Sequence, residues 1–310
     1  MERKEKMFTG KKIAVLCGGD GQEREVSLRS GKAVCDALNE AGFNAVMIDL
    51  HSMNEIDKVK NFEGAFIAMH GDWGEGGVLQ AALEKMKMPF TGSGSKASAL
   101  AMNKIKACDL FKDNGIKIPE GLTWSDNPEE IISKLGRAVV VKPSAGGSTV
   151  GISILKDATK ENLIEAVNLA KKSYVGEVLI EKYIDGREIT AAVWERDGKI
   201  EALPLIEIVP HHGFYDYTNK YTKGATEYIV PAKIDSDSAA KISRMAIKAH
   251  EVLGCSGYSR ADFRLSKDDA YILEVNTAPG MTATSLVPKA AAAVGVSMSE
   301  FVKIIMELAR

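Results

Sequence analysis

The sequence predicts an α/β domain built on a parallel sheet, followed by two α+β domains. Three observations predict it. In the first third, short apolar runs alternate with amphipathic stretches, the pattern of βαβ units with a right-handed crossover. From Ala138 onward, strand-like runs are joined by glycine-rich loops and hairpin turns instead of crossover helices. A length of 310 residues is also too much for one small core. The expected domain boundaries are 1–94, 95–184 and 185–310.

Composition narrows the function classes. Apolar residues make up 45% and charged residues 26%, so a packed globular chain is expected. A formal net charge of −2 speaks against a nucleic-acid or anionic-membrane partner. No apolar run is long enough to span a bilayer, and the charged stretch Met1-Glu-Arg-Lys-Glu-Lys is followed by no signal-type run. Cys17, Cys35, Cys108 and Cys255 are scattered without a C-x-x-C spacing. They read as reduced, small apolar residues of a cytoplasmic protein.

Lys12–Cys17 is an apolar run suited to a buried parallel strand. Gly18-Gly-Asp-Gly21 then turns the chain into a helix from Glu23 to Ala41, with Val26, Ala33, Val34, Ala37, Leu38 and Ala41 on one face. Strands are expected over Asn44–Leu50 and Ala65–His70, and a helix over Gly77–Lys85. The turn after the first strand lacks G-x-G-x-x-G, so a dinucleotide fingerprint is absent. Ligands of open α/β sheets sit beyond the carboxyl ends of the strands, where Glu23 and His70 fall. Each has an ordinary alternative: a carboxylate at a helix start for Glu23, and a hydrogen-bonded loop histidine for His70.

Pro89–Ser95 reads as a linker, and a helix follows from about Lys96 to Asp113, carrying Lys104. Another helix is expected near Glu129–Leu135. Ala138-Val-Val-Val-Lys142, the stretch Pro143–Thr149 and the run to Leu155 read as strand, Gly/Ser-rich loop and antiparallel strand. The P-loop spacing is absent. Successive glycines and hydroxyl residues still expose backbone N–H groups to an anion, and Lys142 adds a point charge. A plain hairpin with a long turn is the alternative. Val178–Ile184 is a further strand whose exposed edge could read an adenine, with Glu181 nearby.

Strands over Glu188–Trp194 and Lys199–Val209 are joined by Asp197-Gly198. The aromatic and polar stretch from His211 to Gly224 is long for a loop inside a compact domain, as functional or mobile segments usually are. Asp235–Leu253 is an amphipathic helix, and two helices close the chain. Between them lies a hairpin, Tyr258–Leu265 and Ala270–Asn276. Strict alternation puts Ala261, Phe263, Leu265, Tyr271, Leu273 and Val275 on a greasy face. Arg260, Asp262, Arg264, Ile272, Glu274 and Asn276 take the other. Asp262 then faces Glu274, and two facing carboxylates repel unless a cation lies between them. Asp, Glu and Asn oxygens with no His or Cys nearby suit Mg²⁺. A solvated strand face is the alternative.

Five stretches together resemble the D-alanine–D-alanine ligases of the ATP-grasp superfamily, over essentially the whole chain. They are Gly18-Gly with Glu23-Arg-Glu-Val-Ser27; His70-Gly71 with Gly74-Glu75; Val141-Lys142-Pro-Ser with Gly147-Ser148 and Gly151; Tyr215-Asp-Tyr with Lys220-Tyr221; and Glu274, Asn276-Thr, Pro279-Gly280-Met-Thr with Ser285-Leu286-Val-Pro. The resemblance implies an ATP-grasp architecture that sandwiches ATP, and formation of D-alanyl-D-alanine for peptidoglycan synthesis. By the same resemblance, Lys104, Lys142 and Ser148 hold ATP phosphates. Glu181, Lys182 and Ile184 read adenine, and Glu188 the ribose. Asp262, Glu274 and Asn276 bind two Mg²⁺, with Mn²⁺ able to substitute. Glu23, linked to Ser148 and Tyr221, accepts the ammonium of the first D-alanine. Arg260 and the Gly280 N–H stabilise an oxyanion, while His70, Lys220, Ser285 and Leu286 serve the substrates. A homodimer is expected on the same ground.

The chemistry follows. The first carboxylate attacks the γ-phosphate in line, and the acyl phosphate is then attacked by the second amine. Losing one oxyanion donor typically costs about 3–4 kcal/mol of barrier. The segments 144–149 and 215–223 are candidate lids that exclude water. Three departures from the family pattern stand out. Gly146 replaces an acidic residue, which implies a more flexible loop; Asn103 replaces Asp before Lys104; and Gly76 replaces Asp. Rival readings are a ligase for D-lactate or D-serine, against which Tyr221 favours an amine, a nucleotide-dependent oxidoreductase, and a non-catalytic nucleotide-binding module.

Overall fold

The computed structural model describes residues 8, 10–21, 23–147, 149–211, 213–215, 219, 220, 222, 224–267, 269–282 and 284–310. Ser148 and Tyr221, both expected in the site, lie outside the described residues.

The first strand, β1 (Lys12–Gly18), is buried except at Lys12 and is flanked by β2 (Asn44–Leu50) and β3 (Gly64–Ile67) in a parallel sheet of order β2-β1-β3. Helix α1 (Arg24–Glu40) crosses from β1 to β2. It lies so close to the sheet that a Cβ on Gly31 would meet the Cys17 side chain at 2.6 Å. The third strand is shorter than expected, ending at Ile67 before Gly71 (φ 74°) opens the short helix α2 (Gly71–Glu75), with α3 (Val78–Lys85) behind it. The expected linker is partly sheet, since Phe90 bridges Ala65 in parallel.

The single helix expected near Lys96–Asp113 is two, α4 (Ser95–Met102) and α5 (Lys104–Asp113). Asn103 sits between them with an extended backbone, and its side chain accepts from the Lys106 N–H at 3.0 Å. It therefore caps α5 and starts that helix at Lys104. A second sheet combines β4 (Gly121–Thr123), β5 (Val139–Pro143), β6 (Ser153–Leu155) and β7 (Val178–Lys182) in the order β4-β7-β5-β6, all antiparallel. Helices α6 (Pro128–Leu135) and α7 (Lys160–Ser173) pack on it.

The third sheet holds β8 (Arg187–Arg196), β9 (Lys199–Ala202), β10 (Ile206–Pro210), β11 (Thr226–Ile229), β12 (Tyr258–Leu265) and β13 (Ala270–Asn276). Its order is β11-β10-β8-β12-β13, with β9 also on β8. The one strand expected over Lys199–Val209 is split at Leu203-Pro204-Leu205, where proline cannot donate to a ladder. Helix α8 (Ser236–Val252) covers this sheet, capped by Asp235, whose carboxylate accepts from the Ser238 N–H at 2.8 Å.

The β12–β13 hairpin has the expected pairing of Asp262 with Glu274 but not the expected faces. The register shifts between Asp262 and Phe263, and Phe263 pairs with Ile272. This β-bulge breaks strict alternation. Ile272, assigned by alternation to the polar face, is fully buried in the core with Phe263 and Val275. Leu273 instead joins Glu274 in lining a cavity, and Tyr271 lies beneath the Lys117 ammonium, 4.8 Å from its ring centroid.

The chain closes with α9 (Leu286–Ala292) and α10 (Met298–Glu307). Helix α10 returns to α1, and one apolar cluster joins Ile13, Val34, Leu38 and Phe66 to Trp194, Tyr258, Phe301 and Met306. The Phe301 ring stacks on Trp194 (6.1 Å between centroids) and meets Tyr258 edge-on at 6.1 Å. Truncation there opens a cavity between the first sheet, the third sheet and the closing helices. Phe301→Ala is expected to lower unfolding stability by about 3–5 kcal/mol, with Phe301→Leu milder. Urea denaturation measures both, and an unchanged midpoint in the alanine variant would remove Phe301 from the shared core.

Candidate functional site

Two adjoining cavities open where the three sheets meet. The first, of about 430 Å³, is lined by Glu23, His70, Glu75, Lys104, Lys220, Arg260, Glu274, Asn276, Gly280, Ser285 and Leu286 among others. The second, of about 120 Å³, is lined by Lys142, Glu181, Lys182, Ile184, Glu188, Asp262 and Leu273 among others. Tyr215, Lys220 and Glu274 border both. Every expected site residue that the structure describes therefore lines one cavity or the other.

The first wall is set by α1 and the loop after β3. Glu23 immediately precedes α1, and two serines further along that helix stitch it down. Ser27 accepts the Gly18 N–H at 2.9 Å and donates to the Ala68 carbonyl at 3.0 Å, joining the ends of β1 and β3. Ser30 lies 3.0 Å from His70 Nε2. On the other side of the ring, Nδ1 lies 3.5 Å from the Glu75 carboxylate, with both side chains almost wholly buried.

The second wall carries the lysines. Lys104 opens α5; its Nζ donates to the Gly146 carbonyl at 2.7 Å and lies 3.5 Å from Glu274. Gly146 has φ 95°, and a Cβ there would stand 2.2 Å from the Tyr174 ring, so the loop admits no side chain at that point while Tyr174 is present. Lys142 and Glu181, expected to serve separate tasks, form a buried ion pair of 2.6 Å. Val140 pairs with Glu181 across β5 and β7, which makes Lys142 its diagonal neighbour. Burial alone would depress the Lys142 ammonium, but Glu181, Cys108 and Glu274 raise it above its ordinary value, so the charge is kept.

The third wall is the hairpin. Arg260 grips Asp262 through Nε and Nη2 at 2.9 and 2.8 Å, and Thr190 donates to the same carboxylate at 2.6 Å. Burial would raise the Glu274 carboxyl, but Lys104, Lys220, Lys142 and Arg260 hold it far below its ordinary value. Asn276 Oδ1 accepts from the Ala278 N–H at 3.0 Å, fixing the amide at the start of the turn to Gly280. Among the described residues no group of three or more His, Cys, Asp or Glu gathers as a metal cage. Two carboxylates and one amide oxygen donor fit Mg²⁺ nonetheless, because that ion is usually held by one or two carboxylates with substrate phosphates completing its shell.

Glu188 lies 3.2 Å from Arg264. Its burial outweighs that guanidinium and, with Asp262 and Glu274 adding repulsion, pushes the carboxyl up to about 7. The sequence alone singles out neither Ser30 nor Thr190, and it offers Ser27 only as the end of a motif with no role; all three are buried among apolar neighbours. Glu75 likewise enters only as part of a motif. A small polar residue recurring inside an apolar stripe was the available signal for the two serines.

Three comparisons bear on this geometry. Residues 116–307 match the family model described as D-ala D-ala ligase C-terminus. The D-alanine–D-alanine ligase of Desulforamulus reducens is 44% identical, covering 96% of this chain and 98% of the relative. That of Carboxydothermus hydrogenoformans is 43% identical, covering 96% and 97%. Among solved structures, the Bacillus anthracis D-alanine–D-alanine ligase complexed with ATP superposes with a TM-score of 0.84 at 33% identity, covering 97% of each chain. The VanG D-Ala:D-Ser ligase of Enterococcus faecalis gives 0.81 at 29% identity, covering 97% of this chain and 99% of the other.

Two outcomes test the electrostatics. Removing one member of a buried ion pair strands the other, so Glu181→Ala should destabilise the chain by about 3–5 kcal/mol, and Lys142→Met with Glu181→Leu should recover most of the loss. Chemical denaturation of the three forms checks this, and additive losses would refute it. For Glu188, a folded-state value of about 7 against the ordinary 4.5 means that the folded chain binds more protons between those values. This contribution to stability is full below about 4.5 and is lost as pH rises through 7. Melting temperatures from pH 5 to 8 should fall less steeply in Glu188→Gln.

Proposed function

Because this chain belongs to the D-alanine–D-alanine ligase family, we propose that it joins two D-alanine molecules with ATP, releasing ADP and phosphate, and so supplies peptidoglycan synthesis. The observation that carries the reading is the convergence of Glu23, Lys104, Arg260, Glu274 and Gly280 on one cleft. Residues 1–94 form an N-terminal α/β domain, and 95–184 and 185–310 act as the central and C-terminal ATP-grasp domains, in a cytoplasmic homodimer.

ATP occupies the smaller cavity and reaches toward the larger one. Its adenine lies against Glu181, Lys182 and Ile184, its ribose near Glu188, and its phosphates toward Lys104, Lys142 and the loop containing Ser148. Asp262, Glu274 and Asn276 would hold Mg²⁺, two ions on the family pattern with Mn²⁺ able to substitute, and that charge would offset the phosphates. Glu23, with Ser148 and Tyr221, receives the ammonium of the first D-alanine. Its carboxylate oxygen forms a bond to the γ-phosphorus as ADP leaves. Lys220, Ser285 and Leu286 then orient the second D-alanine, next to His70. Its deprotonated amine attacks the acyl carbon, and the oxyanion forms beside Arg260 and the Gly280 N–H. Collapse of that intermediate breaks the acyl–phosphate bond, releases phosphate together with one proton from the attacking nitrogen, and completes the peptide. Two Arg260 nitrogens are held by Asp262, so the guanidinium is fixed in place before the oxyanion forms.

Phosphate release should be D-alanine-dependent, with L-alanine, D-lactate and D-serine giving little, and the product mass should be that of D-alanyl-D-alanine. No turnover with D-alanine would refute the reading. Glu274→Gln should abolish turnover while the circular dichroism spectrum stays native; full activity in that variant would take Glu274 out of the metal site.

A further inference from the structure

Ser30 is wholly buried, carries no charge and lies two helical turns beyond Glu23 on the same face of α1. Its hydroxyl stands between two parts of the site that are far apart in sequence. His70 Nε2 is 3.0 Å away, and the Met281 backbone N–H donates to Ser30 Oγ at 3.3 Å. Met281 follows Gly280, whose N–H is the proposed oxyanion donor, and its own side chain is fully buried.

The proton positions follow from donor and acceptor counting. The Met281 N–H can only donate, so it uses a lone pair of the Ser30 oxygen. The Glu75 carboxylate, 3.5 Å from His70 Nδ1, can only accept when ionised, so it calls for a proton on Nδ1. A neutral imidazole protonated at Nδ1 offers a lone pair at Nε2, and the single hydroxyl proton of Ser30 points there. The Met281 N–H and the Ser30 O–H then donate in one direction toward His70, whose Nδ1–H faces the Glu75 carboxylate across 3.5 Å. Bonds aligned in this way polarise one another.

We propose that Ser30 is a positioning residue for the reaction: it holds His70 in the Nδ1–H tautomer and anchors the peptide directly after Gly280, so that the imidazole facing the substrate and the oxyanion donor are set by one buried hydroxyl. The proposal rests on the ligase reading for its catalytic consequence, and on geometry alone for the tautomer. Ser30 touches neither substrate nor the reacting atoms. Its effect comes through placement, where a shift of about 1 Å can cost on the order of a hundredfold in rate.

The test begins with the unmodified chain. It has five histidines, so a ¹⁵N-histidine spectrum is tractable, with His70→Asn used only to assign the signal. The expected result is His70 protonated at Nδ1; an Nε2–H tautomer in the unmodified chain overturns the proposal whatever any variant does. Ser30→Ala should then mix the tautomers and lower kcat by between about tenfold and a hundredfold, with KM for ATP unchanged. Ser30→Thr, which keeps the hydroxyl, should restore both tautomer and rate. If Ser30→Ala lowers only the melting temperature and the folded fraction retains full kcat, the residue is merely structural and the proposal fails. If the unmodified chain has the expected tautomer yet makes no D-alanyl-D-alanine, the ligase reading fails while the hydrogen-bond chain stands.

Discussion

Two carboxylates opposite one another on paired strands repel, and much of the site is arranged around that fact. Asp262 and Glu274 face each other across the β12–β13 ladder. Their charge is balanced in two ways. Asp262 is tied to the neighbouring Arg260, and Glu274 is balanced at longer range by lysines from other parts of the fold. The two therefore differ in availability. Asp262 is a fixed oxygen pair with Arg260 and Thr190 attached, whereas Glu274 has a looser partner, Lys104, at 3.5 Å. A proposed cation arriving with ATP would compete mainly with Lys104, which could turn to the phosphates.

That exchange needs walls that hold still. The framework comes from residues distant in sequence, since α10 packs on α1 and Phe301 is wedged against Trp194 and Tyr258. Tyr258 opens β12, four residues before Asp262. The core that joins the first sheet to the closing helices thus also holds one end of the hairpin. Ser27 and Ser30 do the matching work on the other side, where polar groups buried under α1 each find partners at the strand ends. Buried hydroxyls so satisfied specify one arrangement of the helix on the sheet.

The sequence made some of this legible. The parallel sheet, the Asp262–Glu274 pairing and the ends of α8 could be read because periodicity and capping are local. The β-bulge could not: nothing in Ile272-Leu-Glu274 distinguishes a broken alternation from a regular one, so Ile272 and Leu273 were expected on the wrong faces. Nor was the Lys142–Glu181 pair visible, because it depends on the β5–β7 register between segments 39 residues apart. Asn103 was legible in kind, as a departure from Asp, but its role as a helix cap emerged only once one long helix resolved into two. The buried serines were hidden because a serine in an apolar stripe has no partner that can be named from sequence.

The departure at Gly146 has a physical explanation in Tyr174. With that ring 2.2 Å from where a Cβ would stand, an acidic side chain at position 146 could not coexist with the packing seen here. Its carbonyl is instead turned to Lys104. Three residues on, Thr149 adopts φ 65°, unusual for a β-branched residue, and its hydroxyl donates to the Tyr215 carbonyl at 3.3 Å. Tyr215 in turn hydrogen-bonds Tyr228 on β11 at 3.0 Å and carries the Lys220 ammonium 5.1 Å from its ring centroid. Thr149 and Tyr215, one in each candidate lid segment, therefore tie those segments to each other and to the third sheet. Strain at Thr149 is the kind of feature that persists only where surrounding contacts enforce it. Under the proposed function, a phosphate held by this loop would be felt at Tyr215 through the Thr149 hydroxyl, and a joint of that kind suits the shielding of an acyl phosphate from water.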